Sequence, residues 1–306
     1  MAVIIGSYLY TYVHIKTHVQ IIFLPLDILV ADYQDAHPYK RVRFTTNGTE
    51  WTSVPPMNNP RRHPTMFATL RAGAICIYAF GGSYARCKPY DSCEYIIIGD
   101  DKWITIKDSK MTVDRHFGRA VLLNDDTVII CGGCDSTCEA CDEPSAMPDC
   151  DAFNLITHTF SPFPRMLKAR EYCAAVKYRD TIVVIGGMQG YGYIAECEQY
   201  IPEHGEWHEF PEIKHTGCMV TAAVLDDTIY ILHGDLEMYD GATWIYVTTW
   251  INEDVNFLVA FERRLVVFSS CEGEADGQGY EYDVDTDRWS RFLVEDGAWY
   301  FDAISF

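Results

Sequence analysis

An all-β chain, folded as a six-bladed β-propeller, is what this sequence predicts, and three observations predict it. Hydrophobic runs of strand length end in a glycine-bearing doublet four times: Ile77-Tyr78-Ala79-Phe80-Gly81-Gly82, Val128-Ile129-Ile130-Cys131-Gly132-Gly133, Ile182-Val183-Val184-Ile185-Gly186-Gly187 and the degenerate Ile229-Tyr230-Ile231-Leu232-His233-Gly234. The first doublet residues, at 81, 132, 186 and 233, are spaced by 51, 54 and 47. Each unit then closes on a large aromatic, at Trp51, Trp103, Phe160, Trp207, Trp244 and Trp289. An internal period near fifty residues, built from short strands, marks a four-stranded propeller blade.

The elements follow in order. Ala2-Val3-Ile4-Ile5-Gly6-Ser7 reads as a second strand without a first, with Val42-Arg43-Phe44 and Trp51 as the third and fourth strands of the same blade. Residues 8–40 between them read as an insertion. They are apolar but broken by His14, Lys16, His18, Gln20 and Asp27, too interrupted for a membrane span and without the basic start of a signal peptide. Within each later unit, polar punctuation at Asn124-Asp125-Asp126, Arg179-Asp180 and Asp226-Asp227 separates apolar runs, as hairpins require. Glycine doublets after apolar strands allow positive φ and close approach between blades, here at Gly81, Gly82, Gly132, Gly133, Gly186 and Gly187. The tail, Trp299 to Phe306, reads as a first strand without a second. Its pairing with the N-terminal strands would close one domain over 1–306 and leave no exposed strand edge.

These residues resemble the kelch repeat over roughly 62 to 298. That family opens its first strand near an arginine, ends its second on Gly-Gly, reads like Val-Glu-x-Tyr-Asp in its third and carries Trp in its fourth. His233 in the fourth unit and Ser269-Ser270 in the fifth depart from the doublet. The resemblance implies a non-enzymatic protein-binding platform, including a substrate-recruiting scaffold of a ubiquitin ligase. Its recognition face implies Arg115, Arg170 and His215 at the entrances of first strands, and Tyr84, Arg86, Gln189, Tyr191 and Tyr193 in the loops. Arginine and tyrosine suit such a face through fork contacts and rigid aromatic area. The competing reading pairs Arg115 and Arg170 with acidic neighbours between blades. A sugar-binding or sugar-modifying propeller, galactose-oxidase-like or epimerase-like, is the alternative function.

Charge and cysteines bound the rest. Asp plus Glu number 44 against 24 Lys plus Arg, a net charge of -20, which repels nucleic-acid phosphate and anionic lipid and attracts basic partners. Cys131, Cys134, Cys138 and Cys141 form two CxxC pairs, a spacing that can hold zinc. Repeat register places Cys131 and Cys150 as small buried hydrophobes, however, leaving Cys134, Cys138 and Cys141 as loop thiols for metal, a disulfide or neither. No GxSxG, HExxH or glycine-rich phosphate loop is present, so neither an enzyme nor a cofactor is expected. A monomeric cytoplasmic protein that binds a protein or peptide is the resulting expectation.

Overall fold

The computed structural model describes residues 52–61, 63–83, 89–135, 146–217, 220–249, 257–261, 263–269 and 278–293, with the backbone of strands at 2–5, 8–11, 21–26, 41–45 and 302–304. The N-terminal strands are β1 (Ala2–Ile5), β2 (Tyr8–Thr11), β3 (Ile21–Leu26), β4 (Arg41–Thr45) and β5 (Thr52–Val54). Five four-stranded antiparallel sheets follow. Sheet I is β6 (Thr65–Arg71), β7 (Ala74–Phe80), β8 (Cys93–Ile97) and β9 (Ile104–Ile106). Sheet II is β10 (Arg119–Asn124), β11 (Thr127–Cys131), β12 (Cys150–Asn154) and β13 (Thr159–Phe163). Sheet III is β14 (Ala174–Tyr178), β15 (Thr181–Ile185), β18 (Cys197–Ile201) and β19 (Glu206–Phe210), with a small hairpin of β16 (Met188–Gln189) and β17 (Gly192–Tyr193) inserted. Sheet IV is β20 (Thr221–Leu225), β21 (Thr228–Leu232), β22 (Asp235–Tyr239) and β23 (Trp244–Thr249). Sheet V is β24 (Phe257–Phe261), β25 (Arg264–Ser269), β26 (Gln278–Asp283) and β27 (Arg288–Leu293), and β28 (Asp302–Ile304) ends the chain.

The fold is an all-β propeller. First strands of consecutive sheets touch, β6 with β10, β10 with β14, β14 with β20 and β20 with β24, and so line the inside of the array. Second strands are buried on both faces, which is why they read as unbroken apolar runs. Period-two alternation then splits each run between two cores. Val128 and Ile130 join Phe67, Tyr78 and Phe80 of sheet I, while Ile129 and Cys131 join Ile182 and Val184 of sheet III. Val183 and Ile185 turn the other way, onto Ile229, Ile231 and Trp244 of sheet IV. The core is therefore a series of clusters between neighbouring sheets, as in other radial arrays.

Two details differ from the sequence reading. Five blades, sheets I to V, are described where six were expected, and the remaining strand order, β28-β3-β4-β5, is given by backbone pairing. In that order the partner of the tail is β3, with Asp302 opposite Phe23 and Ile304 opposite Ile21, whereas residues 2–5 pair with 8–11. A sheet strand thus lies inside the stretch expected to be an insertion, because Ile21–Leu26 offers an apolar run equal to that of Ala2–Ile5 and the doublet at Gly6-Ser7 is too weak to choose between them. Trp51 lies outside the described residues.

Candidate functional site

The arginines expected at the recognition face are not on it. Arg115 and Arg170 are fully buried, as is Arg61 at the same register position. Arg115 donates to the carbonyls of Gly132 and Asp149, each at 2.8 Å, and to Asp151 Oδ2 at 2.7 Å. Arg170 repeats the pattern with the Gly186 carbonyl at 2.7 Å, the Glu196 carbonyl at 2.8 Å and Glu198 Oε1 at 2.5 Å. Arg61 does the same with the Gly81 carbonyl at 2.6 Å, the Ser92 carbonyl at 3.0 Å and Glu94 Oε1 at 2.7 Å. Placing Arg115 and Arg170 in contact with a partner is therefore corrected. A guanidinium removed from water must have its donors and charge satisfied within the protein, and each is clamped by a carboxylate one residue into the third strand of its own sheet.

Arg115 and Arg170 also each tie two sheets together. The Arg115 carbonyl accepts from the Gly82 N–H at 2.8 Å, and the Arg170 carbonyl accepts from the Gly133 N–H at 2.9 Å. The main chain thus holds the preceding doublet while the side chain holds the following one. A Cβ on Gly132 would sit 2.5 Å from the Arg170 carbonyl oxygen, and φ there is +63°. Glycine is required by both the space and the backbone angle.

In sheet IV two histidines stand in for the clamp. His215, at the arginine position, places Nδ1 2.8 Å from Glu237 Oε1, and His233, at the first glycine position, places Nε2 3.4 Å from the same oxygen. Burial opposes the charge on Glu237, yet the hydrogen bonds from His233 and His215 hold its carboxyl below the usual range. His215 remains 55% exposed in its side chain and is the one strand-entrance residue of the three that a partner can reach.

Among the loop residues, Gln189, Tyr191 and Tyr193 sit on the β16–β17 hairpin, where Tyr191 is 81% and Tyr193 50% exposed. Met188 and Glu171 exchange backbone hydrogen bonds at 2.8 and 3.0 Å, so this hairpin is anchored at the entrance of sheet III. Tyr84 and Arg86 lie outside the described residues, as do Cys138 and Cys141. Cys134 is buried, with Sγ 3.3 Å from His116 Nε2 and a hydrogen bond to the Glu171 carboxyl. Burial raises the Cys134 thiol and lowers the His116 imidazole to about 4, so the pair is neutral near pH 7. Among the described residues, no group of three or more His, Cys, Asp or Glu is arranged to hold a metal ion. Cys76, Cys93, Cys131, Cys150, Cys173 and Cys197 are buried free thiols, and four of them lie at the last residue of a second strand (Cys131) or the first of a third (Cys93, Cys150 and Cys197).

Sequence reasoning missed a row of aromatics at one end of the first strands. His63, Phe117 and Tyr172 each fall two residues after a buried arginine, each has positive φ (47°, 58° and 53°), and each is half-buried. The rings of Phe117 and His63 have centroids 4.2 Å apart, as do those of Phe117 and Tyr172, at interplanar angles of 30° and 32°. The Phe117 N–H also donates to the His63 carbonyl at 3.2 Å. A non-glycine residue held in the left-handed region costs on the order of 1 kcal/mol or more, and three at one register position form a built feature. The signal was the interval Arg-x-aromatic at 61, 115 and 170, legible once the arginines were aligned.

The comparisons bear on the repeat and on the fold. The kelch motif matches residues 169–213, which run from the residue before Arg170 through sheet III. Kelch-like protein 41a of Danio rerio is 24% identical over 184 residues, 60% of this chain and 29% of that protein. Kelch-like protein 7 of Rattus norvegicus is 26% identical over 88 residues, 29% of this chain and 15% of that protein. This chain spans less than a third of the length of these curated relatives. The solved structure of YjhT superposes with a TM-score of 0.65 at 11% identity, over 82% of this chain and 91% of that one, a likeness of fold alone.

Proposed function

Because the chain belongs to the kelch-repeat β-propeller family, we propose that it is a non-enzymatic platform that binds a protein or peptide on the face bearing the strand entrances and the β16–β17 hairpin. One observation carries this reading. Tyr191 and Tyr193 are large amphipathic side chains left in solvent on a two-residue-strand hairpin whose backbone is pinned to the sheet III entrance. Tyrosine adds contact area at low conformational cost, which is the chemistry of an interface rather than of a core. Recruitment of a substrate to a ubiquitin ligase is one form of this platform. Among the described residues, no helix is long and apolar enough to cross a membrane.

The same proposal includes a ring of six sheets forming one domain, closed between the chain ends. It is supported by the pairing of β28 with β3 and by contacts of β28 with both β24 and β6. A monomeric, cytoplasmic protein that avoids nucleic acid agrees with a net charge of -20.

The test is photo-cross-linking with a benzophenone group placed at position 191 or, as a control, at the exposed Ile156 between β12 and β13. A partner captured from 191 and not from 156, and lost in a Tyr193→Ala background whose melting temperature is unchanged, supports the platform. Equal capture at both positions overturns it.

A further inference from the structure

Sheet II differs from its neighbours at one register position. The last residue of its second strand, Cys131, lies directly opposite the first residue of its third, Cys150. Sheets I and III place Phe80 opposite Cys93 and Ile185 opposite Cys197 there, so in those sheets one partner is not a thiol. Residues opposed in an antiparallel pair point to the same side of the sheet, and Cys131 and Cys150 both enter the cluster that packs sheet II on sheet III.

The ladder sets how close the two come. The Gly132 N–H donates to the Asp149 carbonyl at 3.2 Å, which makes 132 and 149 a hydrogen-bonded position and the adjoining pair, 131 and 150, a non-hydrogen-bonded one. In such a pair the Cα atoms stand roughly 4.5 Å apart, and a disulfide spans Cα separations of about 4.4–6.8 Å. Both thiols are free in this structure, Cys131 donating to the Arg119 carbonyl and Cys150 to the Pro148 carbonyl, each at 3.6 Å. A thiol is a weak donor, so little hydrogen bonding is lost when these two bonds are given up.

We propose that Cys131 and Cys150 form a cross-strand disulfide when the chain meets a small-molecule disulfide, stapling the second strand of sheet II to its third. Arg115 donates to the Gly132 and Asp149 carbonyls and to the Asp151 carboxyl, and the two cysteines adjoin all three, so the staple braces the Arg115 clamp. In the exchange, the thiolate of one cysteine attacks a sulfur of the small disulfide and releases one small thiolate, and the other cysteine then displaces the second. Two S–H groups become one S–S bond, and the small disulfide is reduced to two thiols that carry the two protons. Burial pushes the Cys150 thiol up to about 12 and the Cys131 thiol well above its ordinary value. The thiolate is the attacking species, so exchange belongs to a chain that is folding or locally open, and the folded dithiol oxidises slowly. This site goes beyond the platform reading and does not rest on it.

The test refolds the full chain from urea with oxidised and reduced glutathione, and applies the same mixture to folded protein held a few degrees below its melting temperature, so that the result does not hang on refolding. A second sample carries Cys134→Ser, Cys138→Ser and Cys141→Ser. After the remaining thiols are blocked with N-ethylmaleimide, cyanogen bromide cuts it at Met111, Met147, Met166 and Met188, which leaves Cys131, Cys150 and Cys173 in separate peptides, 112–147, 148–166 and 167–188. Expected are peptides 112–147 and 148–166 joined until dithiothreitol is added, and a melting temperature of the unsubstituted chain raised by about 5 °C on oxidation, a rise absent in Cys150→Ala. Peptide 112–147 or 148–166 joined instead to 167–188 would overturn the pairing. All three peptides recovered singly with blocked thiols, from both the refolded and the heated sample, would overturn the disulfide.

Discussion

Arg170 does the work of a structural bolt. Its guanidinium meets one carboxylate and two carbonyls inside the protein, and its own carbonyl holds the neighbouring glycine doublet. Removing one member of a buried ion pair leaves the other charged and unpaired, which costs about 3–5 kcal/mol. Arg170→Ala should therefore lower the unfolding free energy by that amount, read as a lower midpoint at an unchanged slope in equilibrium urea unfolding. A near-normal midpoint would return Arg170 to the binding face. A second residue-scale consequence concerns pH. Burial lowers His116 from its ordinary 6.5 to about 4, so the unfolded chain takes up a proton near 6.5 and the folded chain only near 4. Below pH 6.5 the unfolded state binds more protons, and stability is lost as pH falls through this window, by on the order of 3 kcal/mol at its lower end. In His116→Gln, melting temperature should fall less steeply across that range than in the parent protein. Parallel profiles would show that His116 does not carry the effect.

At the scale of the element, the repeat unit is a strand pair locked to its neighbour at three points. The first is the arginine clamp just described. The second is the doublet, where a Cβ on Gly187 would lie 2.5 Å from the Glu171 carbonyl oxygen. The third is the closing tryptophan. Trp103 Nε1 donates to the Pro55 carbonyl at 2.6 Å, Trp207 to Pro164 at 2.9 Å and Trp244 to Pro211 at 2.7 Å. Each proline lies four residues after the closing aromatic of the preceding unit, at 51, 160 and 207. A buried indole needs a partner for its N–H, and a proline carbonyl at the exit of a fourth strand is available because that chain is leaving its sheet. Sheet IV keeps its tryptophan but exchanges arginine and glycine for His215 and His233, so its clamp consists of imidazoles on Glu237.

On the whole-molecule scale, neighbouring sheets stabilise each other only in pairs, so an unpaired end leaves one apolar sheet face and one strand edge open. If the tail closes the ring as proposed, deleting residues 299–306 should lower the melting temperature and broaden the transition, as followed by calorimetry. A truncated protein that melts like the parent would overturn the closure. The propeller and its repeat were legible in the residues alone, because doublets and aromatics recur wherever sheet packing demands positive φ and large buried rings. Burial of Cys131 and Cys150 was legible for the same reason: position in the repeat sets their depth. The direction of Arg115 and Arg170 was not legible, since an arginine at a strand entrance can face solvent or a carboxylate with no change in spacing. Packing decided it, by bringing Asp151 and Glu198 from the third strand, 36 and 28 residues on, to within hydrogen-bond reach. The stack of His63, Phe117 and Tyr172 likewise exists only in three dimensions, where residues more than fifty positions apart become neighbours because each first strand lies beside the next.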